Sequence, residues 1–283
     1  MAEAVRTEFT SIDGLTLVGD VLGPEGAPLV ILMHGGGQTR HSWAKAMYAL
    51  ADAGYRVANM DARGHGESDW STNRAYTIAD RVTDIHAVTD AIPGPYALVG
   101  ASMGGLTSIH AIGEGAWPQA LVLVDIVPQM EPEGVTRITS FMNAHHAGFA
   151  SLEDAADAVA AYYPERPRPK DPRGLMKNLR LREDGRLYWH WDPVMFDVEN
   201  PRDFREPLLR STERLGHMHQ LPVLVVRGKL SDIVSDESIA EFQAMVPHAQ
   251  AIDVSDAGHM VAGDKNDAFN AAVLAFLQQH LPT

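Results

Sequence analysis

No cysteine occurs among the 283 residues, which excludes disulfides, a thiolate nucleophile and thiolate metal sites and suits a reducing cytoplasm. There is no run of about 18 apolar residues, so no membrane-spanning helix is expected. The opening MAEAVRTEFT has no apolar stretch of signal-peptide length. Basic residues are in deficit: 23 Lys and Arg against 37 Asp and Glu leave a formal charge of −14. Such a surface repels nucleic acid and anionic membranes, and neither is expected as a partner. Long-period repeats and low-complexity tails are missing too. The remaining expectation is a cytoplasmic globular protein acting on a small molecule. Its composition sets no oligomeric state, and its length suits an α/β domain with an insertion.

What is present is alternation. Strand patterns fall at Thr7 to Phe9, Leu15 to Asp20, Pro28 to Met33, Tyr55 to Met60, Tyr96 to Val99, Ala120 to Val127, Pro222 to Val226 and Gln250 to Val254. Between them lie helical stretches: one capped by Ser42 and ended by Gly54, then Thr77 to Ala91, Gly104 to Gly115, Asp236 to Met245, and Asp264 to about His280. Residues from about 128 to 219 leave this pattern. They are rich in Pro, Arg, His, Met and Trp, with one clear helix, SLEDAADAVAAYY, capped by Ser151. Strands alternating with helices imply a mostly parallel eight-stranded sheet covered on both faces, and sites in such sheets lie beyond the carboxyl ends of the strands. A single excursion from the pattern is most simply an inserted, mainly helical cap over residues 129–219. The core would then comprise residues 1–128 and 220–283.

The residues after each strand carry the chemistry. Gly100-Ala101-Ser102-Met103-Gly104 follows the fifth strand and opens a helix, the context of a G-x-S-x-G nucleophile elbow. Small neighbours permit the tight turn that lifts the Ser102 hydroxyl clear of the backbone, and the helix dipole beneath favours negative charge there. A serine hydroxyl needs a base, and His259, after the last strand, is the candidate. A third group must orient that imidazole. Asp232, past the strand ending at Val226, fits the order Ser, Asp, His. Asp125, ending the preceding strand, is its rival, and Asp256 reads as a turn residue. Negative charge developing on the attacked carbonyl needs donors. HGGGQTRHSW after Met33 offers the Gly36 N–H, with Gly35 and Gly37 as competitors, and Met103 follows the nucleophile. His34 reads as a structural histidine bonded to loop backbone.

Four motifs in order, HGGGQTRHSW, DARGHGES, GASMGG and the pair Asp232 and His259, resemble the α/β-hydrolase family over nearly the whole chain. The cap-bearing branch of esterases, lactonases and C–C bond hydrolases is the most similar. The resemblance implies an α/β-hydrolase fold, Ser102 as nucleophile, His259 as base, Asp232 as acid, and Gly36 and Met103 as oxyanion donors. It makes Arg63 and His65 structural. With serine in place of aspartate at the elbow, epoxide hydrolase and haloalkane dehalogenase activity are not expected.

The expected reaction is hydrolysis of a small carboxylic ester through an acyl-enzyme. A C–C hydrolase, lactonase or cofactor-free perhydrolase on the same triad is the alternative, and a small-molecule receptor or scaffold is a second. Trp189, Trp191, Phe141 and Met195 are candidates for an apolar ceiling over Ser102. Arg180, Arg182 and Arg186 could hold a substrate carboxylate, though a solvated face is the blander reading. His145-His146 and His217-Met218-His219 lack carboxylates at ligand spacing, so no metal and no organic cofactor is expected.

Overall fold

The computed structural model describes residues 3–164, 168–196, 205–255 and 266–283. The strands are β1 (Val5–Thr10), β2 (Thr16–Leu22), β3 (Leu29–Met33), β4 (Arg56–Met60), β5 (Tyr96–Ala101), β6 (Ala120–Val124), a short pair β7 (Leu179–Leu181) and β8 (Leu187–Trp189), β9 (Val223–Gly228) and β10 (Ala249–Val254). Eight of them form one sheet in the order β1-β2-β4-β3-β5-β6-β9-β10, antiparallel at β1, β2 and β4 and parallel from there on.

The central parallel strands β3, β5, β6 and β9 are largely apolar because both of their faces are covered. Leu29, Ile31, Leu98, Leu121, Leu123, Val223 and Val225 enter one core, shared with α2 (Ile78–Ala91), α3 (Met103–Gly113), α6 (Arg205–His217) and α7 (Asp236–Met245). The alternate residues Val30, Leu32, Ala97, Val99, Val122, Leu224 and Val226 enter the other, against α1 (Ala44–Asp52) and α8 (Asn266–His280). This is the α/β-hydrolase fold. No helix among the described residues is long and apolar enough to cross a membrane.

Several local readings change. A 3-10 turn at Arg40–Trp43 precedes α1, so Ser42 sits inside that turn, its hydroxyl bonded to the Thr39 carbonyl at 2.9 Å. Strand β6 stops at Val124 because Asp125 turns into the left-handed region, φ +49°. Within the excursion, α5 (Leu152–Tyr162) has the expected Ser151 cap. It is joined by α4 (Pro132–Met142), whose Pro at the first turn was an unused start signal. The β7–β8 hairpin turns at Asp184-Gly185, another unused signal. Met142, Phe149, Leu179, Leu187, Trp189 and Trp191 make a cluster of their own. Helix α6 packs elsewhere: its Leu208 and Leu215 belong to the main core.

At the elbow, Ser102 holds φ +45° and ψ −114° between β5 and α3. The glycines earn their place sterically. A Cβ on Gly104 would stand 2.5 Å from the Met33 carbonyl oxygen, and one on Gly100 would strike the Gly104 backbone. Gly104→Ala is therefore expected to cost about 2–3 kcal/mol by overpacking, read as a lowered urea midpoint. An unchanged midpoint would show that β3 can yield.

Candidate active site

A cavity of about 750 Å³ lies between the carboxyl ends of the strands and the 129–196 segment. Ser102, Met103, Gly35, Gly36 and Gly37 border it from the core. Phe141, Trp189, Trp191 and Met195 border it from the other side. The rings form a ladder: Tyr162 stacks on Phe141 at 4.2 Å, Phe141 meets Trp189 at 5.6 Å, and Trp189 stacks on Trp191 at 4.9 Å. Arg180, Arg182 and Arg186 are not on this wall. They pin the hairpin in place, with Arg180 bonded to the Gly66 carbonyl and packed on Trp70, Arg182 over Tyr188, and Arg186 bonded to Ala147 and Gly148.

The loop after β3 lies against Ser102: a Cβ on Gly35 would come within 3.2 Å of the serine Cβ. Neither the Gly36 nor the Met103 N–H donates to an acceptor among the described residues, and both residues border the cavity. For Met103 this follows from its place at the start of α3, where helix N–H groups have no intrahelical acceptor.

Three buried histidines hold this loop, and their bonds define their tautomers. His34 Nε2 accepts from the Ala62 N–H at 3.0 Å, so Nδ1 carries the proton and donates to the Gly35 carbonyl at 2.7 Å. His65 Nε2 accepts from the Gly37 N–H at 3.1 Å, and its Nδ1 donates to the Arg63 carbonyl at 3.2 Å. His190, just after β8, accepts the Gly66 N–H on Nδ1 at 2.8 Å and donates from Nε2 to the Gly37 carbonyl at 3.2 Å. Both peptide groups of Gly37 are thus clamped by imidazoles. The residue must be glycine, since its φ is +74° and a Cβ would stand 2.6 Å from the Met142 sulfur. Burial disfavours the charged form of all three rings. It lowers His34 and takes His65 well below the usual range, with His34 and His190 adding to the effect. It brings His190 down to about 3. The sequence offered a hint of His190: in Trp189-His190-Trp191 an extended backbone sends the middle side chain opposite its neighbours.

The loop carrying His65 is itself anchored. Asp61 accepts from the Arg40 N–H at 2.7 Å, the Glu67 N–H at 3.0 Å and the Arg40 guanidinium. Burial raises this carboxyl, but the Arg40 and Glu67 N–H groups and the Arg40 guanidinium outweigh it and hold it below the ordinary range. Arg63 is fully buried between Asp84, at 2.6 Å, and Asp13, at 3.0 Å. Arg63 and His65 are bonded into the scaffold.

The two rival acids stand in different surroundings. Asp232 is 41% exposed and ion-paired with Arg137 at 2.6 Å. Asp125 is fully buried at the end of β6, next to the strand that delivers Ser102, whose N–H donates to the Val124 carbonyl at 3.3 Å. Its carboxylate accepts from the Gly228 N–H at 2.9 Å and the Ser231 hydroxyl at 2.6 Å. His259 lies outside the described residues, as does Asp256.

Comparison with known proteins agrees with this fold. The alpha/beta hydrolase family matches residues 30–272. The chain is 29% identical over 255 residues to the esterase Rv0045c of Mycobacterium tuberculosis, covering 84% of this chain and 79% of that one. It is 28% identical over 253 residues to a 3-hydroxybutyrate-oligomer hydrolase of Cupriavidus necator, covering 83% and 84%. Among solved structures, an alpha/beta hydrolase from Novosphingobium aromaticivorans superposes with a TM-score of 0.80 at 25% identity, over 99% of both chains.

Proposed function

Since the chain belongs to the alpha/beta hydrolase family, we propose that it is a serine hydrolase that cleaves carboxylic esters through an acyl-enzyme. The observation that carries the reading is Ser102 in its forced elbow conformation, bordering a large apolar-walled cavity beside two N–H groups that have no acceptor among the described residues. His259 takes the Ser102 proton as the hydroxyl attacks the ester carbonyl. The N–H groups of Gly36 and Met103 receive the oxyanion. Collapse expels the alcohol, protonated by His259, and a water activated by the same ring releases the acid.

The third member is Asp125 in this mechanism. Chain order ranked Asp232 first, but an orienting carboxylate must be desolvated and fixed. Burial and two short bonds support Asp125, whereas Asp232 is half in solvent and neutralised by Arg137. The expected substrate also grows. A cavity of this volume encloses ligands of drug size, which favours a long or bulky ester over a short one. The esterase and oligo-ester hydrolase names of the relatives support the ester bond.

A fluorophosphonate probe tests the reading. Intact-mass and peptide analysis should find one adduct, on Ser102, and His259→Ala should prevent it. Folded protein that stays unlabelled would leave the receptor or scaffold reading standing.

A further inference from the structure

The cavity has a polar position far from Ser102. His110 lies on α3, eight residues after Ser102, about 12 Å along the axis at the rise of an α-helix. It borders the cavity and is only 5% exposed. Its Nδ1 lies 2.9 Å from the Ser211 hydroxyl on α6. That hydroxyl donates its one proton to the Pro207 carbonyl at 2.9 Å. Ser211 can therefore only accept from the ring, and Nδ1 carries the imidazole proton. Burial lowers the His110 pKa, with Glu114 opposing and Arg81 and Arg210 adding, which disfavours the charged ring.

Nε2 is then a bare lone pair. No described residue donates to it. As a pin between α3 and α6 the ring needs only Nδ1, so its other nitrogen is surplus to the fold. An arm of substrate that fills this end with CH₂ groups alone leaves the lone pair desolvated and unpaired. The described residues bordering the cavity include Arg81 and Lys177 but no Asp or Glu, so a cationic donor is disfavoured and a neutral one fits.

We infer that His110 Nε2 is the acceptor of a distal specificity subsite. The preferred substrate is an elongated ester whose buried arm carries a hydroxyl about 12 Å from the scissile carbonyl. The inference rests on the ester-hydrolase reading of Ser102.

Three esters separate the outcomes: 4-nitrophenyl 10-hydroxydecanoate, its undecanoate isostere with methyl for hydroxyl, and 4-nitrophenyl 10-methoxydecanoate, which accepts but cannot donate. The hydroxy ester should have a kcat/KM about tenfold above the undecanoate, the worth of one neutral hydrogen bond, and mostly through KM. The methoxy ester should gain nothing. In His110→Leu, with folding checked by thermal melting, the hydroxy-to-methyl ratio should fall to within about twofold. Equal rates for the hydroxy and methyl esters, an equal gain with methoxy, or an unchanged ratio in His110→Leu would each overturn the subsite. If none of the three is hydrolysed, the ester reading itself falls, and the subsite with it.

Discussion

Asp125→Asn is expected to lower kcat about 10⁴-fold, and Asp232→Asn to leave it within about threefold. The amide matches the carboxylate in size but carries no charge, so it cannot stabilise an imidazolium and can favour the wrong tautomer of its histidine. Asp125 also accepts the Gly228 N–H and the Ser231 hydroxyl, which fix the plane of its carboxylate. Among the described residues Asp232 has no such cradle, and its charge is met by Arg137 on α4. Ser102→Ala sets the floor, with a loss of about 10⁶-fold in kcat. Steady-state hydrolysis of a nitrophenyl ester gives all three values, with circular dichroism to confirm that each variant is folded. A loss confined to Asp232→Asn would return the acid to the position that chain order favours.

Acid should unfold this protein steeply. His34, His65 and His190 are neutral acceptors of backbone N–H groups, and a proton on any of them places a donor against a donor. Each has a folded pKa below the ordinary 6.5, with His190 at about 3. The unfolded chain therefore binds protons first. The stability these rings contribute is complete above pH 6.5 and drains away as pH falls through the window below it. Each histidine adds up to about 1.4 kcal/mol per pH unit to that slope, or about 4 kcal/mol for three. Asp84 opposes them. Burial outweighs its Arg63 partner and raises its carboxyl to about 6, so it favours the folded state as pH falls from 6 towards its unfolded value. From these four groups the expected net loss below pH 6 is up to about 2.7 kcal/mol per unit, large against a typical stability of about 5–15 kcal/mol. Urea unfolding between pH 7.5 and 5 measures it. His190→Gln, which cannot charge, should reduce the slope by about 1.4 kcal/mol per unit. A flat profile in the wild type would mean that these rings accept protons without leaving their partners.

The parts of the site that were legible in the sequence are those where local chain geometry makes the chemistry. The strand-turn-helix around Ser102 needs small residues at fixed spacing, and the steric contacts of Gly100 and Gly104 show why. The central strands β3, β5, β6 and β9 were legible because both faces of the sheet are covered there, which leaves continuous apolar runs. The loop after β3 announced itself through three consecutive glycines, and the bonds of His34, Arg63 and His65 are those of scaffold residues.

What the sequence by itself determined, then, is the fold, the elbow and the loops at the strand ends, since each is dictated by near neighbours in the chain. Only the tertiary structure decided the rest. Which aspartate is buried depends on whether a strand end is covered, and Asp125 is sealed by Gly228 and Ser231, more than a hundred residues away in the chain. His190 meets Gly37 across 153 positions, and His110 meets Ser211 across 101. The protonation and tautomer of such side chains follow from desolvation and from distant partners, quantities that no local pattern of residues encodes.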